Sequence, residues 1–310
     1  MSKLEIITYA THIDGYYNIL LDSVKNNNLK ITTLGFNTKW KGFTDKLYNI
    51  LKYLKTKDPN LIIIFVDGYD VIFNKNYNSK EILKKYYQFN KPIIFSKEIF
   101  SHFFPSINGI IMNTGLYMGK VENIINMLTN VLEFNKNKNI MDDQFLLNLY
   151  YKNNIKLFNK NIAIDNDNIL FWNLPSYEGM NKIICLPSKE CNVISKLYKL
   201  DINLNQIKNL DKNNQPIAIQ GNGAANIDRI VKLLNYDINK KIDRNIYSTF
   251  RFKQIINLIY YNLLYNYKYK LLVLIILLIL IIYIIFILKV NFIFKNLLLL
   301  FIIIYLIIIL

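Results

Sequence analysis

The run Leu61-Ile-Ile-Ile-Phe-Val66, followed by Asp67-Gly-Tyr-Asp70, sets the narrowest limits on what this chain can become. Six consecutive apolar residues, mostly β-branched or aromatic, predict a strand buried on both faces of a sheet. The run stops at two carboxylates, Asp67 and Asp70, with Gly68 and Tyr69 between them, before Val71-Ile-Phe73 resumes it. In an open α/β sheet, ligands sit just beyond the carboxyl ends of the strands. Two acidic groups on a turning backbone there can converge on one hard divalent cation. The same pair also suits plain turn chemistry, which Asp favours. The residues alone leave both readings open.

The flanking sequence supplies the rest of an α/β domain. A β-like run over 5–10 ends at the polar turn Thr11-His12-Ile13-Asp14-Gly15, a helical pattern covers 16–25, and a strand covers 30–34. That is a βαβ unit, and it favours a parallel sheet with Thr11 at the same edge as Asp67. A loop over 35–42 carries Trp40, read either as a packing lid or as an aromatic platform for a nucleobase. Lys46 follows on a helix over 45–56, as a phosphate partner. A helix over 79–89 starts at the N-cap signal Asn78-Ser79, and a strand over 92–96 follows. Residues 109–119 read as a strand pair bent around Asn113-Thr114-Gly115, where glycine lets the backbone approach a ligand. After a helix over 121–134, Asp142 and Asp143 begin a helix over 144–152. They serve either as helix-capping carboxylates or as a catalytic or acceptor-binding pair. Strands follow over 162–165 and 169–174, residues 175–214 have no clear period, and a strand from 216 enters Gln220-Gly221-Asn222-Gly223 before a helix over 227–234. A glycine-flanked turn between strand and helix suits phosphate contact and is also a common connection.

Composition narrows the function classes. The net charge of +16 could suggest nucleic acid, but lysines are scattered among abundant Asn, Ile and Tyr, so no nucleic-acid partner is expected. Cys185 and Cys191 match no zinc or redox spacing. The N-terminus lacks an apolar signal region. Residues 271–288 form an unbroken apolar run of membrane-spanning length, and 291–310 a second arm after Lys289. One span or a helical hairpin is expected there, in contact with membrane lipids. Lys268 and Lys270 beside it favour a domain facing the cytosol. The expected division is 1–240 as the catalytic domain, 241–270 as a basic and aromatic linker, and 271–310 as a C-terminal membrane anchor.

Several short motifs, in order, carry a resemblance. They are Thr33-Leu-Gly35 leading into Trp40-Lys-Gly42, Asp67-Gly-Tyr-Asp70, Phe95-Ser96-Lys97-Glu98, and Met112-Asn113-Thr114-Gly115 ending at Gly119. Asp142-Asp143-Gln144, Phe171-Trp172-Asn173-Leu174 and Gln220-Gly221-Asn222-Gly223 complete the set. From about residue 5 to 236 the chain resembles the glycosyltransferase domain of the procollagen lysyl hydroxylase (PLOD-like) and procollagen glycosyltransferase family. The resemblance implies a GT-A-type, Rossmann-like mixed sheet flanked by helices. It also implies a metal-dependent transfer of galactose or glucose from a UDP-sugar to a hydroxyl acceptor on a protein, a glycan or a lipid-linked glycan.

Carried across, the resemblance makes Asp67, Asp70 and Gln220 the ligands of Mn²⁺, with Mg²⁺ as the alternative. Thr11, Trp40, Lys46, Tyr69, Asn113, Asn222 and Gly223 become nucleotide-sugar contacts, and Asp142 and Asp143 the catalytic carboxylates. One departure stands out. The family places a histidine where this chain has Gln220, and an amide oxygen lacks the affinity of imidazole for transition metals. Weaker metal binding or greater tolerance of Mg²⁺ is expected. A catalytically silent nucleotide-sugar-binding or membrane scaffold protein is the alternative. No hydroxylase part is expected, because the chain has only two histidines, His12 and His102.

Overall fold

In the computed structural model the described residues are 3–98, 104–174, 198–221, 226–238, 256–265 and 279. The apolar run folds as expected: β3 (Ile62–Asp67) has Ile62 to Val66 at 0% exposure. Each such side chain contributes on the order of 1.5–3 kcal/mol by leaving water. A strand buried so fully needs neighbours on both edges, and the order of the six-stranded sheet is β2-β1-β3-β6-β5-β7. β1 (Leu4–Tyr9) runs parallel to both β3 and β2 (Ile31–Leu34), joined to β2 by α1 (Tyr17–Asn26). The predicted βαβ unit is therefore present. β6 (Met112–Lys120) enters antiparallel between β3 and β5 (Ile93–Lys97), and β7 (Ile162–Asp165) pairs parallel with β5. The sheet is mixed.

The chain leaves this sheet at Gly68-Tyr69-Asp70 and enters a second one. There β4 (Val71–Phe73) and β8 (Phe171–Leu174) flank β11 (Ala218–Gly221), which is antiparallel to β4 and parallel to β8. Asp67 and Asp70 thus stand at a seam between two sheets. The register places Gln220 opposite Val71, and the Gly221 N–H donates to the Asp70 carbonyl at 2.8 Å. One apolar core, with Ile64, Phe73 and Phe171, spans the two sheets, and a second gathers Ile72, Trp172 and Ile219.

Helices cover the sheets. α2 (Phe43–Leu54) turns Leu47, Ile50 and Leu54 inward, and Lys46 falls on the same stripe. α3 (Ser79–Tyr87) begins with a capping box in which Asn78 accepts from Lys80 and Glu81 N–H, while the Glu81 carboxylate accepts from Asn78 N–H. α4 (Val121–Asn135) follows β6, and α5 (Asp143–Asn153) and α6 (Ile155–Asn161) precede β7. α7 (Asp228–Leu233) follows β11. The unpatterned middle contains the hairpin β9 (Tyr198–Asp201) and β10 (Gln206–Asn209). Every described non-glycine residue with positive φ is an asparagine, ten in all.

Two expectations need correction. The stretch around Asn113-Thr114-Gly115 is one strand, not a bent pair. Its pairing with β5 slips between Phe95 and Ser96, so that Phe95 faces Tyr117 and Ser96 faces Asn113. The Asn148 side chain exchanges two hydrogen bonds of 2.9 Å with the Met112 backbone and satisfies the polar groups near this slip. Secondly, among the described residues no helix is long and apolar enough to cross a membrane. This finding overturns the expected C-terminal anchor and the cytosol-facing placement drawn from it. Residues 271–310, on which they rested, lie outside the described residues except for Ile279. The chain divides into two compact units, Met1–Phe252 and Lys253–Leu310, and the described part of the second consists of a helix over 256–265 and Ile279.

Candidate functional site

The geometry at the seam follows from the strand ends. Asp67 terminates β3, and Asp70 directly precedes β4. Gln220, 2% exposed, reaches both from β11 across 150 or more sequence positions. Its Nε2 donates to Asp70 Oδ2 at 3.1 Å and Oδ1 at 3.2 Å, and lies 3.5 Å from Asp67 Oδ2. Its Oε1 is buried without a hydrogen-bond partner. Burial, and then the neighbouring Asp67 carboxylate, push the Asp70 carboxyl up to about 8. Gly115 on β6 makes this convergence possible. A Cβ there would stand 2.5 Å from Asp67 Oδ2 and 2.6 Å from Gln220 Nε2.

A buried cation joins this cluster to α5. Lys46 Nζ lies 2.9 Å from Asp67 Oδ1 and 2.8 Å from Asp143 Oδ2. Burial alone would lower the lysine pKa, but the Asp143 and Asp67 carboxylates outweigh it and hold it well above the ordinary lysine range. The two adjacent aspartates face different tasks. Asp142 is the N-cap of α5 and accepts from Phe145 N–H at 2.8 Å. Asp143 turns inward to Lys46 and accepts from Thr114 Oγ1 at 3.1 Å.

Beyond Asp143 lies a carboxylate that the sequence reading quoted within a motif but gave no role. Glu98, 5% exposed, follows β5; its Oε2 accepts from Asn113 Nδ2 and Gln144 Nε2, each at 3.1 Å, and its Oε1 from Asn173 Nδ2 at 3.4 Å. Gln144 Oε1 in turn accepts from Thr114 N–H at 3.3 Å. A polar chain thus runs from Asp70 through Gln220, Asp67, Lys46, Asp143, Thr114 and Gln144 to Glu98. Glu98 sits in the quoted stretch Phe95-Ser96-Lys97-Glu98, so a charged residue directly after a buried strand was the available signal.

The aromatic members lie on the other flank. Trp40, half-buried, packs against Tyr9 at 5.9 Å and edge-on to Phe43 at 5.2 Å between ring centroids. The Thr11 backbone N–H donates to the Tyr69 hydroxyl at 2.9 Å, and His12 lies 5.6 Å from the Tyr69 ring. Thr11, Trp40, Lys46, Asp67, Tyr69, Asp70, Asn113, Asp142, Asp143 and Gln220 are all described; Asn222 and Gly223 lie outside the described residues, as do His102, Cys185 and Cys191. Among the described residues, no three His, Cys, Asp or Glu side chains cluster as a metal site. At the seam stand two carboxylates and an amide.

The mixed sheet flanked by helices is the fold of a glycosyltransferase domain. The chain belongs to the PLOD GT domain family, whose model matches residues 1–245. It is 24% identical over 247 residues to the procollagen-lysine,2-oxoglutarate 5-dioxygenase of Drosophila melanogaster, covering 73% of this chain and 31% of that protein. It is 26% identical over 256 residues to the multifunctional procollagen lysine hydroxylase and glycosyltransferase LH3 of Rattus norvegicus, covering 76% and 31%. The chain therefore spans about a third of the length of these relatives. Among solved structures, a glycosyltransferase involved in the glycosylation of the major capsid of PBCV-1 aligns with a TM-score of 0.43 at 8% identity, covering 74% of this chain and 98% of that one.

Proposed function

We propose that this domain transfers a hexose, galactose or glucose, from a UDP-sugar to a hydroxyl acceptor on a protein or glycan, with a divalent cation held by Asp67, Asp70 and Gln220. The observation that carries the reading is the meeting of those three side chains at the seam of two sheets, in a PLOD GT domain. The residues fit a hard cation. Two carboxylates converge, burial opposes the charge of Asp70, Gln220 Oε1 lacks a partner, and Gly115 leaves the space clear. A cation bound there supplies charge neutralisation on the departing diphosphate.

The chain's own residues account for binding and orientation. Lys46 ties Asp67 to Asp143 and adds fixed positive charge where a diphosphate would lie. Trp40 with Tyr9 and Phe43, and Tyr69 over Thr11, offer aromatic surface to the nucleoside. Asn222 and Gly223 are assigned to the diphosphate, and Asn113 to the sugar side through its bond to Glu98. Because Asp142 caps α5, Asp143 and Glu98 are the carboxylates assigned to the transferred sugar and the acceptor hydroxyl.

The test is titration of UDP into the 310-residue chain with Mn²⁺ and then with chelator, followed by UDP release measured over a panel of UDP-sugars. Metal-dependent binding with release from one hexose donor is expected. Binding of UDP that ignores the chelator would refute the metal assignment.

A further inference from the structure

The donor set at the seam has a property that the family assignment does not supply. In the described site every side chain able to ligate is an oxygen donor, and the third one is a carboxamide whose two ends differ. Gln220 presents Nε2 to both carboxylates and keeps Oε1 buried and unpartnered. A neutral amide N–H between Asp67 and Asp70 partly offsets their repulsion, so the pair is hydrogen-bonded without any metal. The terminal torsion of glutamine is broad and roughly two-fold. A half-turn exchanges Nε2 for Oε1 at nearly the same point in space, with little change to the rest of the side chain.

We infer that Gln220 is the residue that sets cation specificity: its carboxamide closes the Asp67–Asp70 pair through Nε2 and turns over to ligate through Oε1, making an all-oxygen site for an exchangeable hard divalent cation. This inference rests on the metal assignment proposed above. Two carboxylates and an amide oxygen suit Mg²⁺ and Mn²⁺, whereas an imidazole at the same position would favour Zn²⁺. The cation then exchanges with a hydrogen bond already in place, and the fold does not depend on it.

The experiment uses the full chain stripped with chelator, Mn²⁺ binding followed by electron paramagnetic resonance, and displacement by Mg²⁺ and Zn²⁺. Circular dichroism melting in chelator accompanies each variant. The wild type is expected to melt cooperatively in chelator and to release Mn²⁺ to Mg²⁺. Gln220→His should raise Zn²⁺ affinity over Mg²⁺ affinity by about tenfold or more. Gln220→Glu, of nearly the same shape, should lower the melting temperature in chelator and tighten Mn²⁺ by about tenfold, because it replaces the N–H donor with a third carboxylate. The inference is overturned if both variants leave all three metal affinities unchanged while Asp67→Asn and Asp70→Asn abolish Mn²⁺ binding; the metal assignment would survive. If Mn²⁺ binding is absent, or is indifferent to both aspartate variants, the assignment and the inference fall together.

Discussion

The Nζ of Lys46 lies 2.8 Å from Asp143 Oδ2, and the two side chains are only 5% and 6% exposed. An ion pair removed from water this completely is held by geometry as much as by charge, since desolvation opposes it. Lys46 also contacts Asp67, so its removal strands one buried carboxylate and unbalances a second. Lys46→Met is expected to destabilise the domain by about 3–5 kcal/mol, measured by urea unfolding near neutral pH. Adding Asp143→Leu to that variant should restore part of the loss, because the stranded charge disappears with it. A double variant no more stable than Lys46→Met would count against charge stranding as the cause.

Gly115 carries no side chain at the point where Asp67 and Gln220 meet, and a Cβ would come within 2.5 Å of one and 2.6 Å of the other. Contacts that short force the neighbours to move. Gly115→Ala should therefore abolish metal-dependent UDP binding while the circular dichroism spectrum stays that of the wild type. Undiminished binding would mean that the nucleotide site lies elsewhere.

At the far end of β1, Glu5 accepts from Tyr53, Lys57 and Thr32. Burial tends to raise its pKa, but these hydrogen bonds outweigh it and hold the carboxyl below its ordinary value of 4.5. A carboxyl with a lowered folded pKa adds stability above its unfolded value and loses it as pH falls through the folded one. The stability difference between wild type and Glu5→Gln should be constant above about pH 5 and vanish under more acid conditions. After solvent screening of this partly exposed group, its plateau should be about 0.5–1 kcal/mol. A difference that grows on acidification would reverse the assigned sign.

Helix α1 ends in a Schellman motif, with Asn28 N–H donating to the Lys25 carbonyl at 2.8 Å and Leu29 N–H to that of Val24 at 3.2 Å. α7 ends the same way through Asn235 and Tyr236. Both asparagines have positive φ, 55° and 56°. Glycine meets no Cβ penalty there, so Asn28→Gly and Asn235→Gly should each raise stability by about 0.5 kcal/mol, read as upward shifts in melting temperature. A fall in both would show that the asparagine side chains contribute contacts of their own.

What the sequence disclosed depended on how local the cause was. The β3 run, the Asn78 cap and the first βαβ unit are written in neighbouring residues, and the structure reproduces them. Lys46 reads locally as a phosphate partner on a helix. Its place on the buried stripe of α2, beside Leu47 and Ile50, is compensated only once β3 and α5 arrive with their carboxylates. Glu98 was hidden for the same reason, since Asn113, Gln144 and Asn173 come from three other elements. The β9–β10 hairpin escaped because each strand is only four residues long, too short to show a period. The Asn113–Gly115 region was recognised as irregular but misread as a turn, because a register slip against a neighbouring strand leaves no periodic trace.

The position of β11 between β4 and β8 also governs when this protein can first become competent. The chain emerges from the ribosome in order, and Asp67, Asp70, Lys46 and Asp143 are all made long before Gln220. Contacts of such long sequence separation form late and slowly. Until Gln220 is free to slide in beside Val71, the acidic pair has no amide to close it and the second sheet lacks its central strand. Interrupted translation would therefore leave chains with the six-stranded sheet encoded but the Asp67–Asp70–Gln220 seam incomplete, and their exposed β4 and β8 edges are where such chains would be expected to stick to one another.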